Sequence, residues 1–170
     1  MDDDLPRRQP VRPLSGHPER EALTRTICDI GLLTSLVLVA LATLTPEGTG
    51  WEWGAPLSEL HWYLTGLGSP STLLQLFGNL ALLAVPAAFA VRRWPALGRR
   101  ALLVVVSLAA GTSIEALQWA LSLGRVVSPV DAALNATGAV LAGWLVAHLG
   151  RRHAARTGRW EPLAGLRLHG

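Results

Sequence analysis

The stretch Ser113-Ile114-Glu115-Ala116-Leu117-Gln118, continued through Arg125 to Ser128-Pro129-Val130-Asp131-Ala132-Ala133-Leu134-Asn135-Ala136-Thr137-Gly138, decides how this chain is read. It places a carboxylate and an amide inside one apolar helix. A short connection with an arginine follows, then an aspartate and an asparagine entering the next apolar helix. Ionisable side chains are costly in a bilayer, so within an apolar span they mark a functional site by default.

Working outward, four apolar runs are long enough to cross a hydrocarbon core, which takes roughly 20 helical residues. They cover about 27–45, 72–91, 101–122 and 130–149. Backbone groups in lipid must be satisfied internally, so each run is predicted to be a helix. The expected fold class is all-α, a polytopic four-helix transmembrane bundle. Pro86 is expected to kink the second span. Residues 1–25 read as a polar, disordered tail, 26–150 as the four-helix membrane domain, and 151–170 as a basic tail close to anionic headgroups. Ala40-Leu41-Ala42 resembles a signal-peptide cleavage motif, but the apolar run continues to Leu44, and span one is read as retained.

All fifteen basic residues are arginine. They cluster between the apolar blocks, in the N-terminal tail, in the Arg92–Arg100 connection and after Gly150. That distribution is expected of a membrane protein and argues against a nucleic-acid partner despite the pI near 10.4. The 46–71 segment has no arginine but carries Glu47, Glu52 and Glu59; residues 123–129 contain only Arg125. Both termini are therefore expected in the cytoplasm, with 46–71 and 123–129 outside. Trp51, Trp53, Trp62 and Tyr63 read first as interfacial anchors of a surface-lying loop, with a ligand-stacking platform as the sharper alternative. A single cysteine, Cys28, allows no internal disulfide and no cysteine-based metal site. No cofactor or metal is expected.

In that orientation the polar residues share a depth. Glu115 and Asn79 fall roughly 10 Å inside the outer boundary at 1.5 Å rise per residue. Gln118 and Asn135 fall at roughly 6–8 Å on the same rise, with Arg125 and Asp131 at the interface. Glu115 and Gln118 are i,i+3, and Asp131 and Asn135 are i,i+4, so each pair shares a helix face. Gly111 and Gly138 let helices approach closely. The candidate ligand-binding set is thus Glu115, Gln118, Arg125, Asp131, Asn135 and Asn79. Each has a plainer reading. Ser128-Pro129-Val130-Asp131 fits a capping box, Arg125 fits a snorkelling interface residue, and Asn79 and Asn135 fit interhelical hydrogen bonding. A buried carboxylate must be protonated or paired, and Arg125 is the nearest basic candidate for Glu115.

Glu115-x-x-Gln118, Arg125 and Asp131-x-x-x-Asn135-x-x-Gly138 resemble the VanZ-like family of multi-pass bacterial membrane proteins. Leu44-Thr45-Pro46 at the end of span one, and Asn79 followed by Pro86 in span two, resemble weaker family features. The resemblance covers about 45–149. It departs around Pro86, where Ala84-Val85 and Ala87-Ala88 replace the family's usual Phe and Gly. It implies a protein of the bacterial plasma membrane acting in cell-envelope physiology. The family's founding member is associated with resistance to teicoplanin-type glycopeptide antibiotics, although most relatives lie outside resistance clusters.

Three functions compete. One is a binder of an outer-leaflet lipid or lipid-linked cell-wall precursor, with Arg125 holding phosphate. The second is an intramembrane enzyme using Glu115 and Asp131 as acid and base on a lipid headgroup. The third is an accessory subunit whose polar groups serve only packing. No Ser-His pair, metal-ligand cluster or phosphate-binding glycine loop supports an enzyme, so the binder is favoured. The oligomeric state stays open. Cysteine labelling should find Ala96 accessible from the cytoplasm and Gly50 and Gly124 from outside. Outside labelling at Ala96 would reverse the orientation and the depth argument with it.

Overall fold

The computed structural model describes residues 18–156. It is a helical bundle with α1 Pro18–Leu44, α2 Pro56–Thr65, α3 Pro70–Leu82, α4 Ala84–Arg93, α5 Arg100–Leu121 and α6 Pro129–Arg156. A 3-10 turn at Pro95–Gly98 joins α4 to α5, and two short strands, β1 Gly50–Trp53 and β2 Leu123–Val127, lie at the opposite end. Four helical stretches are long and apolar enough to cross a membrane: Glu19–Leu44, Pro70–Arg93, Arg100–Leu121 and Pro129–Arg156. Large apolar side chains such as Leu33, Leu38, Leu74 and Leu141 are exposed on the outside of the bundle, as lipid-facing residues are. The chain is a membrane protein of all-α class.

The expected tail boundaries move. α1 starts at Pro18, so residues 18–25 are helical rather than part of a disordered tail. Pro18 at the helix start has the fixed φ that suits a first turn. Glu19 and Glu21 in that turn complement the helix dipole. At the other end α6 runs on to Arg156 through strong helix formers. Residues 1–17 and 157–170, which hold the rest of both expected tails, lie outside the described residues.

The second span is two helices. It breaks at Leu83, the joint between α3 and α4, and Pro86 is the cause. Proline has no N–H, so the Leu82 carbonyl loses its usual donor four residues on. The ladder resumes with Ala87 N–H donating to Leu83 O at 3.1 Å.

The connections at the far end differ most from expectation. The 46–71 segment and the 123–129 turn are not irregular loops. β1 and β2 pair in parallel, with Trp51 opposite Arg125 and Trp53 opposite Val127. Glu47 N–H to Leu123 O and Gly54 N–H to Val127 O, both 2.9 Å, extend the ladder at its ends. Parallel strands need a long crossover, supplied here by α2 to α5. Gly124, at φ +72°, sits against the Gly48 backbone, where a Cβ has no room.

α6 is the central helix and packs on α5, α4 and α3, while α1 packs chiefly on α4. Leu83, Ile114 and Ala139 form the buried apolar centre. Small residues set the spacing. A Cβ at Gly138 would overlap the Leu80 backbone, and one at Gly111 would meet the Ala132 carbonyl. Near the arginine-rich end, Arg93 Nε and Asp29 Oδ1 tie α4 to α1 at 2.8 Å. Replacing Gly138 with Val forces α3 and α6 apart, at a cost of about 1–3 kcal/mol for overpacking. Thermal unfolding in detergent should show the loss. Gly150→Ala, where a Cβ meets nothing within 4 Å, should leave the transition unchanged.

Candidate functional site

The site is built from helix ends. α1 and α5 end, and α3 and α6 begin, at the β1–β2 end of the bundle. Polar residues within two or three turns of those ends therefore lie at similar depth. Asn79, Glu115, Gln118, Arg125, Asp131 and Asn135 all line one cavity of about 450 Å³ there, together with Thr43, Glu47 and Gln75.

Ser128 organises one wall. It precedes α6, and its Oγ accepts the Asp131 backbone N–H at 3.0 Å, which is half of a capping box. The reciprocal half is absent. The Ser128 N–H donates instead to Glu115 Oε2 at 2.8 Å, across to α5. The Ser128 hydroxyl proton goes to Glu59 Oε2 on α2 at 2.5 Å. Only 1% of Ser128 is exposed, so it is a joint between three helices and not an accessible nucleophile.

Because Asp131 does not close the capping box, its carboxylate is free for other partners. Tyr63 on α2 donates its hydroxyl to Asp131 Oδ1 at 2.8 Å, and Asn79 Nδ2 donates to the Tyr63 oxygen at 3.4 Å. Burial, and then the Asp131 carboxylate that accepts its proton, raise the Tyr63 phenol well above its ordinary value of 10.0. Tyr63 is thus turned inward, whereas Trp51, Trp53 and Trp62 are exposed and line no part of the cavity. The aromatic cluster splits into three surface rings and one buried hydrogen-bonding ring.

Arg125 does not pair with Glu115. Its Nη2 meets Glu47 Oε1 at 2.6 Å, and its Nε donates to the Thr45 carbonyl at 3.2 Å. β2 carries Arg125 alongside β1, towards the end of α1, where Glu47 and the Thr45 carbonyl hold it. Gln118 Nε2 donates to the Thr43 carbonyl at 3.1 Å, joining α5 to α1. Asn135 is 2% exposed, and its Oδ1 has no hydrogen-bond partner. An unmet buried acceptor of this kind is costly, by about 1–3 kcal/mol.

Glu47, Glu59, Tyr63 and Ser128 complete the network; sequence reading gave Glu47, Glu59 and Ser128 no place in a ligand site, and Tyr63 only one in a stacking platform. Their only signal was the run of acids in an arginine-free segment and the Ser-Pro start of α6. Among the described residues no group of three His, Cys, Asp or Glu is placed to hold a metal ion. No family model, curated protein or solved structure matches the chain.

Tyr63 is the chain's one tyrosine, so tyrosinate absorbance reports it alone. Its ionisation should appear well above pH 10.0 in the folded protein. The sign of the coupled stability follows. Below the unfolded value both states hold the proton and stability is at its full level. As pH rises past that value the unfolded chain releases its proton first, so stability falls. Tyr63→Phe should remove that part of the alkaline decline. A titration with a midpoint at the ordinary tyrosine value would overturn the buried Tyr63–Asp131 contact.

Proposed function

We propose that this chain is a VanZ-like integral membrane protein of the bacterial cell envelope. In this reading it binds an outer-leaflet lipid or lipid-linked cell-wall ligand in the polar cavity. The observation that carries the proposal is the convergence of six polar residues from three spans and a strand on one cavity, with the buried Asn135 Oδ1 left unpartnered. Groups that served helix packing alone would meet one another. An unmet acceptor on a cavity-lining residue instead suits a visiting donor. The arginine asymmetry supports placing the cavity in the outer leaflet. The motif from Glu115 to Gly138 supports the family, and with it a test of glycopeptide susceptibility in a deletion strain.

Binding is favoured over catalysis because Glu115 is held by the Ser128 N–H and Asp131 by the Tyr63 hydroxyl, and Ser128 itself is buried. It is favoured over a pure scaffold because the carboxylates are not neutralised by ion pairs. Glu115 and Asp131 have no basic partner among the described residues, whose two salt bridges are Arg93–Asp29 and Arg125–Glu47.

Lipids and wall precursors that co-purify with the protein, identified by mass spectrometry, test the proposal. They should be present with the wild type and lost in Glu115→Ala. Glu115→Gln keeps an acceptor for the Ser128 N–H, so expression and thermal stability should hold. Arg125→Ala removes a pair whose Glu47 side chain is 62% exposed, which is worth about 0.2–1 kcal/mol after solvent screening. Both variants should stay folded while losing the ligand. Lost expression in both, with the folded remainder still carrying ligand, would favour the scaffold.

A further inference from the structure

The hydrogen-bond inventory of the cavity points to the chemistry of its occupant. Most of its donors are used within the protein, those of Gln75 and Asn79 on Asp131 among them, and the Asn135 amide N–H is a donor left over. Gln118 Nε2 is held by Thr43 O, Asn79 Nδ2 by Tyr63, and the Tyr63 hydroxyl by Asp131. Arg125, the one cation in the lining, is engaged by Glu47 and Thr45 O. The acceptors are in surplus. Glu115 uses Oε2 for Ser128 and keeps Oε1. Gln118 keeps its side-chain oxygen, and Asn135 Oδ1 has no partner at all. Asp131 accepts from Tyr63, Gln75 and Asn79, and neither it nor Glu115 forms a salt bridge.

A phosphate or carboxylate placed here would bring acceptors to acceptors and negative charge to two carboxylates. A primary ammonium brings three N–H donors and one positive charge. A quaternary ammonium brings the charge without the donors. The cavity is walled on one side by Ala42 and Thr43 of α1 and on another by Gln75, Gly78 and Asn79 of α3. α1 packs on α4 and α5 rather than on α3. Gln75 and Gly78 are exposed, and nothing lies within 4 Å of a Cβ at Gly78. The cavity is therefore open sideways, between α1 and α3, where lipid meets the bundle.

We infer that the cavity takes the primary ammonium of a lipid headgroup, entering laterally between α1 and α3. Glu115 and Asp131 supply the charge, and Asn135 Oδ1 fixes the orientation. This rests on the binding reading above and narrows it to a donor-bearing, cationic group.

The test uses the full chain in dodecyl maltoside micelles and native mass spectrometry. The probes are phosphatidylethanolamine, phosphatidylcholine and phosphatidylglycerol of identical short acyl chains, and free ethanolamine. Phosphatidylethanolamine should bind at least tenfold more tightly than each of the others. That preference should vanish in Glu115→Gln and in Asn135→Leu. Phosphatidylcholine binding as tightly would show that N–H donors are not read, and would overturn the inference. Phosphatidylglycerol binding as tightly would overturn the cationic assignment. Free ethanolamine binding as tightly would overturn lateral entry of a lipid. If all three lipids bind equally and all depend on Glu115, the ammonium inference fails while the cavity reading survives. If no binding depends on Glu115 or Asn135, both fail. The wild-type headgroup series decides the matter even where a variant does not fold.

Discussion

The structure depends on how Glu115 is held inside an apolar helix. The usual solution for a buried carboxylate is a cationic partner, and sequence reasoning offered Arg125. The protein uses a backbone donor instead, the Ser128 N–H at 2.8 Å. That choice propagates. Ser128 N–H is withdrawn from the α6 capping box, so Asp131 is released to Tyr63. Ser128 Oγ still caps α6 through the Asp131 N–H and reaches Glu59 with its own proton. One buried serine thereby fixes α2, α5 and α6 to each other and leaves two carboxylates without a compensating charge. A neutral donor to a charged acceptor is a strong hydrogen bond. It adds no positive charge to the Glu115 side of the cavity.

The rest of the architecture keeps that end open while the middle is closed. Gly138 on the Leu80 backbone and Gly111 on the Ala132 carbonyl bring α6 hard against α3 and α5. In lipid such close approach replaces the hydrophobic drive that holds soluble helices together. The break at Leu83 then bends the second span. Below the break α4 packs against α1, whereas above it α3 does not. The proline kink and the small-residue seam together produce a bundle tight at its centre and split between α1 and α3 at one end. The parallel β1–β2 pair ties the far ends of α1, α5 and α6 to one another and carries Arg125 to the side of Glu47.

Much of this was legible because helices report themselves through spacing. Glu115 with Gln118, and Asp131 with Asn135, fall on shared faces by helical periodicity, and Asn79 follows from counting depth along an antiparallel span. All six residues line one cavity in the structure. What was not legible came from segments without a period. Residues 46–71 show neither a helical nor an alternating pattern long enough to read, so β1, α2 and the roles of Glu47, Glu59 and Tyr63 stayed hidden. Tyr63 sits beside Trp62, yet one ring is buried and the other exposed. Adjacent residues on a short helix face different ways, and composition alone gave them a common role. The parallel pairing of β1 with β2 was beyond reach for another reason. Short strands so far apart in sequence carry no register signal of their own.

The same fact explains why Arg125 pairs with Glu47 and not with Glu115. A turn between α5 and α6 would leave Arg125 free to fold back towards Glu115. A strand cannot do so. Its side chains alternate between faces, and the ladder with β1 holds Arg125 opposite Trp51, within reach of Glu47 and the end of α1. With Arg125 committed there, Glu115, Gln118 and Asn135 line a cavity that has one engaged cation. The absence of a compensating charge at Glu115 and Asp131 is thus a consequence of strand geometry, not of composition. The chain carries more arginines than acids, yet the one arginine in the cavity lining is paired with Glu47 and not with Glu115 or Asp131.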